Sequence, residues 1–269
     1  PILSGDCPRE PHFGAGLIAD EAGYERLLPY LYREEPLYAY LEEVRRLNAR
    51  SDREEIVWRY WLDGFFWFPR RLLGIENHLT AFYDQPELMH RINSDYCAFA
   101  EKAIRAVFSV CPPDMAGIAE DMSYNNGPML SEAHFNEFLR PYYERVVPLM
   151  QQFGVPVLVD SDGDVTMLLP WLLSAGVEGI YPLERQAGVD IVRLRREYPR
   201  LLMMGGFDKM VMSQGEAAMR AEFERLLPVM RSGGYINSVD HQTPPEVSLE
   251  NYRIYIQLLR EYCQKAVSG

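Results

Sequence analysis

Carboxylates crowd into one short segment of this sequence, residues 160–164 (DSDGD). An apolar run over residues 155–159 precedes the segment and a second apolar run follows it, which predicts the end of a buried strand. Crowded carboxylates are costly there because they repel one another and lose hydration. Side chains kept at that cost typically hold a cation, a proton or a polar ligand. We therefore predict that Asp160 and Asp162 lie at a functional site, whereas Asp164 is expected to cap the next helix.

Ionisable residues follow each of five apolar runs in the chain, including the one just described. The runs are 115–119, 155–159, 177–181, 201–205 and 234–239. The residues after them are Glu120 and Asp121, then Asp160 and Asp162, then Glu184 and Arg185, then Asp208 and Lys209, and finally Asp240 and His241. In a barrel of parallel strands the carboxyl ends of the strands meet at one face. These side chains are therefore expected to surround one pocket.

The chemistry expected of this pocket is acid–base catalysis. His241 lies in a polar loop before two prolines, which favours a site residue over a core histidine. We expect it to act as general acid or base beside Asp240, with Lys209 stabilising developing negative charge. Two alternatives stay open: Lys209 as the structural partner of Asp208, and Glu184–Arg185 as a surface ion pair. The other histidines are isolated in the sequence and are expected to be solvated: His12, His78, His90 and His134.

The elements that must position these residues alternate between strand and helix. The last four strand candidates start 22, 24 and 33 residues apart, about one βαβ unit each. This spacing predicts an α/β fold, and a (β/α)₈ barrel is favoured. A doubly wound open sheet is the competitor, but the chain has no GxGxxG or P-loop lysine motif. With residues 55–62 as a weak sixth strand, the barrel is expected to be incomplete or irregular at its N-terminal end.

Two regions are expected along the chain. Residues 1–54 should form a loop and two helices that pack on the barrel, and residues 55–269 should form the barrel domain. Further helices are predicted up to Leu73, over 86–110, over 142–153, from a capping box of Ser213 and Glu216, and from Ser248 onward.

Composition excludes several classes of partner. The net charge of −12 makes nucleic acid and anionic lipid unsuitable partners. No apolar stretch is long enough to cross a bilayer. The four cysteines are scattered without a CxxC motif, which favours reduced thiols in the cytoplasm over disulfides or a thiolate zinc site. A chain that begins at Pro1 leaves open whether further residues precede it.

Several segments resemble the uroporphyrinogen decarboxylase superfamily. They are 119–129 continuing through 138–143, then 159–165, 205–208 and 233–236, and the likeness covers about 55–265 in the same order. The resemblance implies a (β/α)₈ barrel with its site at the C-terminal mouth. It implies either porphyrinogen decarboxylation or zinc-dependent methyl transfer from methylcorrinoid proteins to a thiol. Carried over residue by residue, it also implies Asp121, Asp162 and His241 as pocket positions.

The chain departs from both branches of this superfamily. The methyltransferase branch has His-x-Cys where this chain has Asp160-Ser161-Asp162, so the thiolate zinc site is missing. If a divalent metal is bound, Asp160 and Asp162 are its expected ligands, because carboxylates prefer a harder cation. The arginine-rich segment of the decarboxylase branch is not recognisable in 1–54, and an acidic rim would repel a polyanionic substrate.

These observations favour a methyltransferase-like enzyme that acts on a small polar substrate, with a corrinoid as methyl donor and a corrinoid protein as partner. The expected catalytic residues are Asp121, Asp162, Lys209 and His241. The expected substrate-binding residues are Glu120, Asn125, Asp160, Arg185, Asp208 and Asp240. The alternatives are a decarboxylase of uroporphyrinogen or a smaller carboxylic acid, and a non-catalytic ligand-binding barrel. The aromatic-rich segment 58–68 and the resemblance together favour a homodimer.

Overall fold

The computed structural model describes residues 16–268. Its helices and strands, in chain order, are α1 Glu21–Leu31, α2 Glu34–Asn48, β1 Arg59–Asp63, α3 Trp67–Leu73, α4 Ile75–Asp84, α5 Pro86–Val110, β2 Met115–Ala119, β3 Ser123–Tyr124, β4 Gly127–Pro128, α6 Glu132–His134, α7 Arg140–Gln151, β5 Val157–Asp160, α8 Leu169–Ser174, β6 Gly179–Tyr181, α9 Ile191–Glu197, β7 Leu202–Phe207, α10 Glu216–Arg231, β8 Tyr235–Val239 and α11 Leu249–Val267. Short 3₁₀ helices lie at Arg53–Glu55, Arg185–Ala187 and Lys209–Gln214, and a π-helical segment at Phe135–Leu139. Cys7 and His12 lie outside the described residues.

The described residues form two compact units. The first contains residues 16–120 and 129–157, and the second contains residues 121–128 and 158–268. The predicted boundary at residues 54–55 falls inside the first unit, which holds α1 and α2 together with β1 and β2. Within residues 16–268, every helix falls short of the length or the apolarity that crossing a bilayer would require.

In the first unit, β1 and β2 are parallel neighbours, with Arg59 opposite Met115 and Asp63 opposite Ala119. Side chains alternate along β1 because successive residues of a strand point to opposite faces. The buried Tyr60 meets Phe108 of α5 edge to face, with ring centroids 5.1 Å apart. Helix α5 begins at a proline. Proline is suitable there because the amide hydrogen of a first helical residue has no partner within the helix. The helix packs against α2 and α7.

In the second unit, β5, β6, β7 and β8 are parallel and adjacent in this order. Aromatic rings join the sheet to its covering helices: Phe207 of β7 lies 4.6 Å from Phe223 of α10 and 5.0 Å from Tyr255 of α11. Parallel strands separated by helices are what the spacing of the apolar runs predicts. The predicted α/β fold class is confirmed.

Several local predictions needed correction. β7 extends to Phe207 because its two glycines stay paired with β8. The capping box at Ser213 is wrong: its hydroxyl donates to the Met210 carbonyl, and α10 begins after Gly215, whose φ is +90°. The cap at Ser248 is confirmed, since its hydroxyl accepts from the Asn251 amide. Asp164 accepts from the Thr166 amide, but α8 starts only at Leu169.

The histidine His78 is buried, contrary to the expectation of a solvated side chain. It lies in α4 with its ring 4.5 Å from the Phe66 ring and 5.1 Å from the Phe82 ring. Neither ring nitrogen has a hydrogen-bond partner. Burial lowers the pKa of His78 to about 3, and the nearby Arg70 adds to the effect. The imidazole is therefore neutral at ordinary pH.

Candidate active site

Asp162 and His241 lie beside each other in the second unit. Asp162 follows the end of β5 by two residues, His241 follows the end of β8 by two, and Asp162 Oδ2 lies 3.1 Å from His241 Nε2. Both side chains remain partly exposed, 39% and 36% respectively, so a substrate could reach them. Burial raises the pKa of Asp162, and the imidazole opposes that rise. A carboxylate held on an imidazole nitrogen orients the ring and supports proton transfer at the ring.

Asp240, the residue before His241, is fully buried and joins three strand ends. Its Oδ2 accepts from the Arg185 amide at 2.8 Å and its Oδ1 from the Lys209 amide at 3.2 Å. The Lys209 ammonium lies 3.7 Å from the same Oδ1. Burial raises the pKa of Asp240, while these amides and the ammonium oppose the rise. The contacts fix the loops after β6 and β7 against the end of β8.

Glu184 also belongs to this cluster; its position after a strand was recognised in the sequence, but no catalytic or binding role was predicted for it. Its Oε2 accepts from the Gly163 amide at 2.8 Å, and its Oε1 accepts from Lys209 Nζ at 3.2 Å. The Glu184 and Lys209 side chains are only 16% and 13% exposed. The neighbouring Arg185 turns its guanidinium toward the Val189 carbonyl and the Asp190 carboxylate instead. The predicted Glu184–Arg185 surface pair is therefore replaced by a mostly buried bridge between Glu184 and Lys209.

Two residues near these side chains have left-handed backbones although neither is glycine. Leu183, which precedes Glu184, has φ of +65°, and Asp121 has φ of +43°. Such conformations cost energy, and they concentrate at functional sites. The Leu183 turn fits because β7 carries a glycine beside it: a Cβ on Gly205 would lie 1.8 Å from the Pro182 carbonyl oxygen.

The hairpin formed by β3 and β4 is attached to the loop that carries Asp162. The Ser123 hydroxyl donates to the Asp164 carbonyl at 2.6 Å, and the Asp164 amide donates to the Tyr124 carbonyl at 2.9 Å. The Met122 amide donates to the Ser161 hydroxyl. Asn125 lies exposed at the tip of this hairpin. These bonds place the 121–128 segment along the 160–164 loop.

The remaining predicted site residues lie at the same strand ends. Asp160 ends β5 opposite Tyr181, and its carbonyl accepts from the Asp121 amide at 3.2 Å. Asp208 caps the 3₁₀ helix at Lys209–Gln214 and accepts from Gln186 at 2.7 Å. The substrate-binding roles of these side chains stay predictions.

Asp160 and Asp162 are the metal ligands that the sequence predicts. Over residues 16–268, no three His, Cys, Asp or Glu side chains are arranged to hold an ion. Structural and catalytic metals are usually held by at least three protein ligands or by a carboxylate cage. The expectation that Asp160 and Asp162 bind a divalent cation stays a prediction, and the chemistry proposed below uses none.

Glu120 belongs to the first unit and differs in kind from the residues above. Its carboxylate is fully buried and accepts from the amides of Phe65, Phe66 and Trp67 and from the Tyr143 hydroxyl, at 2.6–3.1 Å. Burial raises its pKa to about 7, although all four donors oppose the rise. The carboxylate thus provides an acceptor for the amides at the start of α3. Gly64 leaves room for it, since a Cβ there would lie 2.0 Å from Glu120 Cδ.

This chain is similar to a known protein family and to individual proteins of that family. The profile of the family Uroporphyrinogen decarboxylase (URO-D) matches residues 63–262. The chain is 25% identical to the uroporphyrinogen decarboxylase of Thermus thermophilus over 262 residues, covering 91% of this chain and 70% of that protein. It is 27% identical to the Pseudomonas aeruginosa uroporphyrinogen decarboxylase over 190 residues, covering 68% of this chain and 50% of that protein.

A solved structure shares the fold. It is a methyltransferase from Methanosarcina mazei, which superposes with a TM-score of 0.61 over 94% of this chain and 71% of that one, at 15% identity. At that identity the likeness speaks to the fold alone. The resemblance that the sequence motifs indicated is confirmed. The chain belongs to the uroporphyrinogen decarboxylase (URO-D) family, a family of enzymes.

Proposed function

We propose that this protein catalyses methyl transfer from a small polar substrate, with Asp162 and His241 as its acid–base pair. The observation that carries the proposal is the 3.1 Å contact between Asp162 Oδ2 and His241 Nε2, at strand ends and partly open to solvent. In barrels of this class the C-terminal strand ends hold the chemistry.

The pair suits a reaction in which a heteroatom leaves. When a methyl group passes from a neutral oxygen, nitrogen or sulfur atom to a methyl acceptor, the carbon–heteroatom bond breaks, and the leaving atom gains negative charge and needs a proton. His241, oriented by Asp162, would supply that proton as general acid. Lys209 supports the pair differently from the sequence prediction, because its ammonium is already shared between Glu184 and Asp240.

The charge around the pair favours a neutral or cationic substrate. Asp162, Glu184 and Asp240 contribute carboxylates, and Lys209 lies between two of them. A polyanion would meet like charge at this place. A corrinoid as methyl carrier, a corrinoid protein as partner and a homodimer are part of the proposal and come from the family resemblance.

A demethylation assay tests the proposal. The purified protein is incubated with methoxylated, methylamino and methylthio compounds and with reduced cobalamin as methyl acceptor, and methylcobalamin is followed by its absorbance. Replacing His241 with Ala or Asp162 with Asn should lower turnover about 10²-fold or more without unfolding the protein. Wild-type turnover in His241→Ala would overturn the assignment.

Decarboxylation is the second candidate, because the family profile and the curated relatives are uroporphyrinogen decarboxylases. Loss of carbon dioxide from a carboxylic acid also needs a proton donor, in this case to carbon. Carbon dioxide released from uroporphyrinogen by the wild type, and not by His241→Ala, would favour it. If neither assay shows turnover while a ligand binds, a non-catalytic barrel becomes the better description.

A further inference from the structure

A closed chain of contacts links the strand-end loops of the second unit. It runs from Asp162 to its neighbour Gly163, whose amide donates to Glu184, and from Glu184 to Lys209. Lys209 contacts Asp240, which precedes His241, and His241 returns to Asp162. We call this set of residues the loop ring. Within the loop ring, Glu184 connects the loop that carries Asp162 to Lys209, which in turn contacts Asp240 next to His241.

Stability alone explains Glu184 poorly. Taking two charges out of water carries a large desolvation cost, and a buried ion pair often contributes little net stability. Glu184 and Lys209 are nevertheless mostly buried together. The turn that presents Glu184 contains the strained, fully buried Leu183. A costly pair on a strained turn beside a candidate site is the arrangement expected when geometry matters more than stability.

We infer that Glu184 is a positioning residue that holds Asp162 against His241. Its Oε2 fixes the Gly163 amide and thereby the backbone that carries Asp162. Its Oε1 holds Lys209, which together with the buried Asp240 fixes the backbone that carries His241. The catalytic consequence rests on the proposed function, whereas the geometric part can be measured without any substrate.

The geometric part is tested by nitrogen NMR of the His241 side chain at one fixed pH. In the wild type, the chemical shift of Nε2 should be that of an imidazole nitrogen hydrogen-bonded to a carboxylate. In Glu184→Ala this chemical shift should move toward that of a free imidazole, because the loop of Asp162 has lost its anchor. In Glu184→Gln it should return part of the way, since the amide oxygen can still accept from Gly163 while the amide nitrogen cannot accept from Lys209.

The matched control is Glu224→Ala. Glu224 is also a glutamate paired with a lysine, Lys265, but both side chains are about half exposed on α10 and α11. Its removal should leave the His241 spectrum unchanged. An unchanged His241 spectrum in Glu184→Ala would overturn the inference. If Glu184→Ala does not fold, Glu184→Gln alone decides, and a wild-type spectrum in that variant counts against us.

Kinetics separate this inference from the proposed function. Once a substrate is found, Glu184→Ala should lower kcat about 10²-fold with little change in KM, because small misplacements of catalytic groups have effects of that size. Glu184→Gln should recover part of the loss. Glu184→Ala and Glu184→Gln could instead lower both the melting temperature and kcat to the same extent as each other while the His241 spectrum stays unchanged. That result would mean that Glu184 has a purely structural role. If the His241 spectrum changes in Glu184→Ala but neither the wild type nor a variant transfers a methyl group, the proposed function is rejected and the positioning role of Glu184 is kept.

Discussion

Each unit of this protein contains an acid and an imidazole in very different surroundings. In the first unit, Glu120 and His78 are fully buried near Phe66, whose amide donates to Glu120 and whose ring contacts His78. In the second unit, Asp162 and His241 contact each other and stay more than a third exposed. The same two side-chain types thus serve packing in one place and are available for chemistry in the other.

The difference lies in how the polar atoms are satisfied. Four donors surround the Glu120 carboxylate, so it has little capacity left for a ligand. Asp162 has one imidazole partner at its Oδ2 and an open side toward solvent. Residue type and position after a strand, which singled out both acids in the sequence, do not separate these cases. Burial and the number of donors do.

The largest expected effect is on Glu120. Glu120→Leu removes the carboxylate that accepts from the amides of Phe65, Phe66 and Trp67 and from the Tyr143 hydroxyl. It should lower the free energy of unfolding by about 4 kcal/mol. Glu120→Gln keeps one oxygen for two of the amides and should cost about 2 kcal/mol. Urea unfolding followed by circular dichroism measures both. Wild-type stability in Glu120→Leu would remove the distinction between the two regions.

The second effect concerns His78 and acid. Its pKa is about 3 in the folded protein against an ordinary value of 6.5. Between these two pH values the unfolded chain binds a proton at His78 and the folded chain does not. Stability is therefore lost as pH falls below 6.5. His78→Leu should remove this loss, gaining about 2 kcal/mol over the wild type between neutral pH and about pH 5.

Urea unfolding at the two pH values checks this expectation. The matched control is His134→Leu, a partly exposed imidazole that stacks on the same Phe82 ring, 5.3 Å away. Its stability difference from the wild type should change by less than about 0.5 kcal/mol over that range. An equal response of both variants would show that burial of His78 is not the cause.

The smallest effects are expected at the candidate site. Asp162→Asn and His241→Ala should each change the free energy of unfolding by less than about 1 kcal/mol, because a partly exposed pair contributes little to stability. The same urea experiment measures this. A loss comparable with that of Glu120→Leu would make the pair structural and weaken its assignment to chemistry.

Strand positions were predictable because apolar runs recur at βα spacing. The run 115–119 is a strand over those residues, and 55–62 overlaps β1. The run 177–181 begins pairing only at Gly179, since the Val177 amide bonds to the Leu172 carbonyl at the end of α8. Local amide partners of this kind move strand ends by a residue or two and leave no periodic signal.

The candidate site was predictable as a place but only partly as a set of contacts. Position after a strand placed both Asp162 and His241 among ten candidates. The sequence prediction set His241 beside Asp240, whereas the structure places it against Asp162. Position after a strand could not show that Glu184 reaches Gly163 and Lys209, because those contacts depend on how separate loops fold back. Nor could the isolated position of His78 in the sequence reveal two aromatic rings packed around it.

The space left by Gly64 has a consequence for variation among related chains. Any side chain at position 64 would occupy the volume of the Glu120 carboxyl group. A chain that acquires even alanine there must shorten or lose the acid at 120, and must then find other acceptors for the amides at the start of α3. The two positions are therefore expected to vary as a pair, and this coupling does not depend on the substrate.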